Sequence, residues 1–121
     1  MYKHVKFASL PVVDQDRALA FYRDVMGFSV LVDDASQGSW RWIELAIGAS
    51  PTRLLMERRQ GPPRQEPALV LVVEDVAALC ASLAAKGVAI RSPAAPAPWD
   101  ATETFALIED SEGNLVQLGS A

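Results

Sequence analysis

A chain of 121 residues holds one compact domain with a true core and leaves little room for a second. Half of the residues are apolar and 21% are charged, and a net charge of -4 argues against a nucleic-acid partner, which would want clustered excess Lys and Arg. A single cysteine rules out an intrachain disulfide and suits a reducing, cytoplasmic setting; no apolar run is long enough for a bilayer or a signal peptide, so no membrane association is expected.

Val5 to Val13 reads as a buried strand with Pro11 near its end, where a missing N–H is tolerated. Asp14 is a good N-cap, and Ala18, Phe21, Tyr22 and Val25 recur at helical spacing to form one apolar stripe. Gly27 stands where a left-handed residue would stop the helix after Met26. Phe28 to Val32 is a second strand, followed by a polar turn over 33–38. Ser39 to Ile47 reads as a third strand, with Trp40, Trp42 and Glu44 on one side and Arg41, Ile43 and Leu45 on the other. Thr52 to Arg59 is the fourth.

Residues 60–66, rich in Pro and Gly, form the clearest linker. Beyond it the plan repeats. Pro67 to Val73 is an almost continuous apolar run, the signature of a strand covered on both faces. Val76 to Lys86 is a helix with Val76, Leu79, Cys80 and Leu83 on one face; Val88 to Arg91 is a short strand. Residues 92–100 read as a Pro-rich loop carrying Trp99, and Thr102–Ile108 and Asn114–Leu118 as a closing hairpin.

The duplication is visible in the letters. Val12 and Val13 match Val72 and Val73, Ala18-Leu19 match Ala78-Leu79, and Gly27 matches Gly87; Asp14 pairs with Asp75 only after a one-residue shift. The expectation is an α+β fold of two β-α-β-β-β modules, 1–59 and 67–121, in a single domain 1–121. The helices lie on the outer face of a curved mixed sheet, which leaves the inner face free for a ligand.

Several motifs carry a family resemblance: VxDxxRAxxFYxxxxGF from Val12 to Phe28, the Arg41-Trp42 strand, the Val73-Glu74-Asp75 helix start, and Asp110-Ser111-Glu112-Gly113-Asn114 with Leu118. Together they resemble the glyoxalase, bleomycin-resistance and extradiol-dioxygenase superfamily (vicinal oxygen chelate proteins) over nearly the whole chain. The resemblance implies paired modules, usually in a homodimer, and a cavity inside the curved sheet. In the superfamily's enzymes four strand positions supply His, Glu or Gln to one divalent ion. Here those positions fall at Phe7, at Glu57 or Met56, at Ala68 or Pro67, and at Gln117. Phe, Ala and Pro have no metal donor, so no metal site and no cofactor are expected.

His4, the only histidine, lies three residues before Phe7 and would point to the opposite face of a regular strand, as a surface or edge residue. Strand alternation places Phe7, Ser9, Trp42, Glu44, Leu55, Glu57 and Gln117 on the inner face, with Leu115 beside Gln117. The resemblance puts Trp99 at the cavity mouth. Apolar walls with a few polar anchors are what a small-molecule site needs, although the same aromatics would also serve as plain sheet core. Glu57 is the one candidate catalytic acid or base, weighed against an ordinary ion pair with Arg53, Arg58 or Arg59. Two functions follow. One is a metal-free binder that holds an aromatic or amphipathic ligand in an apolar cleft of a homodimer. The other is a divergent metal-dependent lyase, isomerase or dioxygenase of the glyoxalase type.

Overall fold

Alternating burial writes the first strand: Leu10 and Val12 are sealed on one face while Ser9 stays exposed on the other. The computed structural model describes all 121 residues, which fall into two compact units, Met1–Pro62 and Pro63–Ala121, divided within the 60–66 linker. Each unit is a β-α-β-β-β module, so the architecture is α+β.

In the first unit, β1 (Phe7–Val12), β2 (Ser29–Asp34), β3 (Trp42–Ala46) and β4 (Arg53–Arg58) form a sheet of order β1-β4-β3-β2. β1 and β4 run parallel and the other pairs antiparallel. Helix α1 (Gln15–Leu19) starts at Asp14, whose side chain accepts from Arg17 N–H at 3.0 Å. It continues as a π-helical segment, Ala20–Val25, with Met26 N–H donating to Phe21 O. Ala18 and Tyr22 are fully buried, as are Leu10, Val12, Ile43 and Leu45. Tyr22 meets Phe21 and Phe28 at ring separations of 5.0 and 5.6 Å. Each large apolar side chain buried in this way contributes roughly 1.5–3 kcal/mol.

The second unit repeats the order. β5 (Leu69–Val72), α2 (Val76–Ala85), β6 (Ile90–Ala97), β7 (Asp100–Glu109) and β8 (Leu115–Gly119) give a sheet of order β5-β8-β7-β6. α2 begins at Asp75, which accepts from Ala78 N–H at 3.0 Å and buries Val76, Cys80 and Leu83. Ala106, Ile108, Val116 and Leu118 complete that core.

The two caps explain the one-residue shift seen in the sequence. Val12 stands two residues before Asp14 and is fully buried; its counterpart two residues before Asp75 is Val73, whereas Val72 is 70% exposed. The letter-by-letter match of Val12 to Val72 is therefore off by one, and in a strand a slip of one turns every side chain to the other face. Gly27 and Gly87 come back into step at φ 81° and 88° because the first helix holds one residue more than the second, taken up in the wider π turn.

Other expectations change as well. Residues 90–97 form strand β6 rather than a short strand and a loop. Its two prolines are tolerated because β6 is an edge strand, broken by three register irregularities against β7. The strand from Leu69 is not covered on both faces: Val70 and Val72 are 65% and 70% exposed, since β5 is an edge paired only with β8 and packs one face inward. β3 begins at Trp42, so Trp40 and Arg41 do not share its alternation. His4 lies before β1 and is exposed.

Candidate functional site

Each sheet has a face turned away from its helix, and on the first sheet that face carries the side chains of odd-numbered residues in β1 and β4. Phe7 stands opposite Arg53, Ser9 opposite Leu55, and Pro11 opposite Glu57, while Leu55 also faces Glu44 across to β3. The strand geometry thus brings Phe7, Ser9, Trp42, Glu44, Leu55 and Glu57 to one face. Trp42 is 44% exposed, and its ring meets that of Phe7 edge-on at 6.1 Å, the arrangement that aromatic quadrupoles favour. The pair forms an accessible aromatic wall and not sealed core.

Glu44 is the buried anchor of this face. One carboxylate oxygen accepts from Arg53 Nη1 at 2.7 Å and the other from Trp42 Nε1 at 2.8 Å. The Arg53 bond first, and then the Trp42 bond, hold its carboxyl below the usual carboxylate range against the opposing effect of burial. The network fixes the indole plane, so the aromatic wall is pre-set. The sequence offers Arg53 only as a partner for Glu57; its even spacing from Leu55 and Glu57 puts it on this face, but only the pairing of β3 with β4 brings it to Glu44.

Glu57 lies on the same face and accepts from Ser9 Oγ at 2.8 Å. The ion pair expected with a neighbouring arginine does not form. Arg53 is held by Glu44, Arg58 lies over the Trp40 ring at 4.9 Å, and Arg59 Nε donates to Gly61 O. Physically, Arg58 projects from the opposite face of β4, and Arg53 stands two same-face steps away from Glu57.

On the second sheet, Leu115 and Gln117 project to the face opposite α2, with Val70 beside Gln117 across the parallel ladder. Trp99 sits in the tight turn between β6 and β7, 57% exposed; it packs on Phe105 at 5.1 Å and donates from Nε1 to Glu103 at 3.2 Å. It is a turn residue of a hairpin, where a free loop was expected.

The positions that the superfamily uses for a divalent ion do not fit one here. Met56 is 2% exposed in the core and Glu57 is open, so of these two only Glu57 stands on the open face. Leu69 is buried, which puts Ala68 on the open face at the third. Phe7 and Ala68 offer no donor, and the first unit then supplies one carboxylate and the second one amide. No three His, Cys, Asp or Glu side chains stand together in a metal-holding group.

Two polar features lie elsewhere. A groove of about 560 Å³ runs past Gln15, Arg17, Ser39, Trp40 and Arg58, and none of the expected site residues lines it. There the buried Gln15 clamps the backbone of Arg41, donating to its O at 2.7 Å and accepting from its N–H at 3.0 Å; the Arg41 guanidinium is kept charged by Asp33 and Asp16. In the Asp110–Asn114 turn, the buried Asp110 accepts from Glu112 N–H, Asn114 N–H and Asn114 Nδ2 at 2.8–2.9 Å. Gly113 takes φ 81°, as a turn of this kind requires. These bonds hold the turn in shape.

The model of the Glyoxalase/Bleomycin resistance protein/Dioxygenase superfamily matches residues 3–118. The chain belongs to this superfamily. Among solved members, it is similar to TnmS3, an antibiotic binding protein from Streptomyces sp. CB03234, at 32% identity and a TM-score of 0.83, covering 98% of this chain and 96% of that one. UcmS2 is similar at 28% identity and a TM-score of 0.82, over the full length of both chains. The uncharacterized protein YurT of Bacillus subtilis (strain 168) is 32% identical over 91% of this chain and 93% of its own length. Superfamily membership accounts for the repeated module and the Asp110–Asn114 turn; it leaves open which chemistry, if any, this member performs.

Proposed function

We propose that this member of the superfamily is a metal-free small-molecule-binding protein that holds an aromatic or amphipathic ligand against an apolar cleft. The carrying observation is the Phe7–Trp42 wall, held in place by Glu44 and Arg53, on a face whose superfamily metal positions lack a donor set. Phe7, Ser9, Trp42, Glu44, Leu55 and Glu57 are the ligand-contacting residues on the first unit. On the second unit, taken by itself, Leu115, Gln117 and Trp99 are the candidate contacts. Apolar and aromatic walls with few polar anchors suit small-molecule capture, and holding a ligand requires affinity but no catalytic base. The likeness to TnmS3, an antibiotic binding protein, supports the same reading. A homodimer is the proposed assembly, in keeping with the superfamily.

The test is tryptophan fluorescence against a panel of planar aromatic compounds, run beside metal analysis of the purified protein. Saturable quenching at sub-stoichiometric metal, weakened at least tenfold in Trp42→Ala, is the expected result. A stoichiometric transition metal lost on Glu57→Ala or Gln117→Ala would overturn the proposal in favour of a divergent metal enzyme. Sedimentation of the apoprotein tests the dimer.

A further inference from the structure

Glu57 is the one carboxylate on the open face of the first sheet whose counter-ion the chain does not supply. Glu44 and Arg53 neutralise each other at 2.7 Å, and the Lys6 ammonium sits 5.4 Å from the Phe7 ring centroid. Arg58 is spent on Trp40 and Arg59 on a backbone carbonyl. Glu57 keeps only the Ser9 hydroxyl, which donates to Oε1 at 2.8 Å and leaves Oε2 without a protein partner. That bond also orients the carboxylate, so less side-chain freedom is lost when a ligand arrives. The same face carries two aromatic rings whose π surfaces attract cations and plates alike.

We infer that Glu57 is the anchor for an organic cation, so that the ligand taken by this face is an aromatic compound bearing an amine or guanidinium on a short arm. The inference rests on the binding reading above and narrows its ligand class. A carboxylate flanked by hydrocarbon and aromatic surface, with one oxygen oriented and one open, favours an ammonium through a charge-assisted hydrogen bond and repels acids. Because Glu57 is exposed, the gain is that of a solvated ion pair, roughly a two- to fivefold preference at low salt.

The experiment titrates the full chain with 1-(2-aminoethyl)naphthalene and with its N-acetyl derivative, which has the same ring and arm but no charge. The expected result is a preference for the amine of that size, shrinking at high salt and falling to near unity in Glu57→Gln. Equal binding of the two compounds to the unaltered protein overturns the inference and leaves the binding proposal standing. So does an amine preference that survives in Glu57→Gln. Failure of every aromatic compound to bind sinks the inference and the binding proposal together. Thermal unfolding of Glu57→Gln, expected to match the parent, shows that the effect is not one of folding.

Discussion

Removing the guanidinium of Arg53 isolates the carboxylate of Glu44, and the cost of doing so tests how the aromatic wall is held. The Glu44 side chain is 10% exposed and that of Arg53 46%, so the pair is asymmetric. Arg53→Ala leaves a buried negative charge with the Trp42 N–H as its remaining protein donor, a loss of about 1–2 kcal/mol after allowance for the solvent around Arg53. Glu44→Gln removes the charge instead and lets Arg53 turn to water, for less than about 1 kcal/mol. In urea, with a slope of roughly 1–3 kcal/mol per molar, Arg53→Ala shifts the unfolding midpoint down by about 0.3–2 M at pH 7. The pH dependence carries the sign. Arg53 and Trp42 hold the folded Glu44 carboxyl below its unfolded value of about 4.3. Its stabilisation is therefore complete above that value and is lost as pH falls through the lowered folded one. The gap between the parent and Arg53→Ala should be widest at neutral pH and close toward pH 3. A gap that stays constant from pH 7 to pH 3, or a Glu44→Gln variant less stable than Arg53→Ala, would refute the account.

Two further outcomes follow from the caps and the turn. Asp75→Ala removes the side-chain acceptor at the head of α2 and should cost about 1 kcal/mol in chemical unfolding, with Asp75→Ser recovering most of it. Asp110→Asn keeps the size of the side chain but replaces one acceptor oxygen by a donor facing Asn114 Nδ2 or two N–H groups, at about 1–3 kcal/mol; wild-type stability would mean that the turn is not held as described.

Much of the scaffold was readable from patterns that repeat locally. The helical stripe of Ala18, Phe21 and Tyr22 is buried as its spacing requires, and Asp14 and Asp75 cap the helices they precede. The edge strand β6 was less legible, because proline counts against a strand in one dimension while the edge position that excuses it exists only in a sheet. Trp40 was assigned to the wrong face because the start of β3, and with it the phase of the alternation, depends on where pairing begins. The supposed partners of Glu57 failed for separate reasons: proximity in the chain put Arg53, Arg58 and Arg59 around it, but the pleat turned Arg58 to the other face, Glu44 took Arg53, and Arg59 reached the Gly61 carbonyl.

The amino-acid order by itself determined the two-module α+β plan and the capped helices, since these depend on residue type and short-range spacing. Tertiary structure alone decided that Met56 is core while Glu57 is open, that Val72 faces outward, and that Arg53 serves Glu44 rather than Glu57. Each of those turns on strand register, which long-range pairing sets and in which a shift of one residue exchanges the inside of a sheet for its outside.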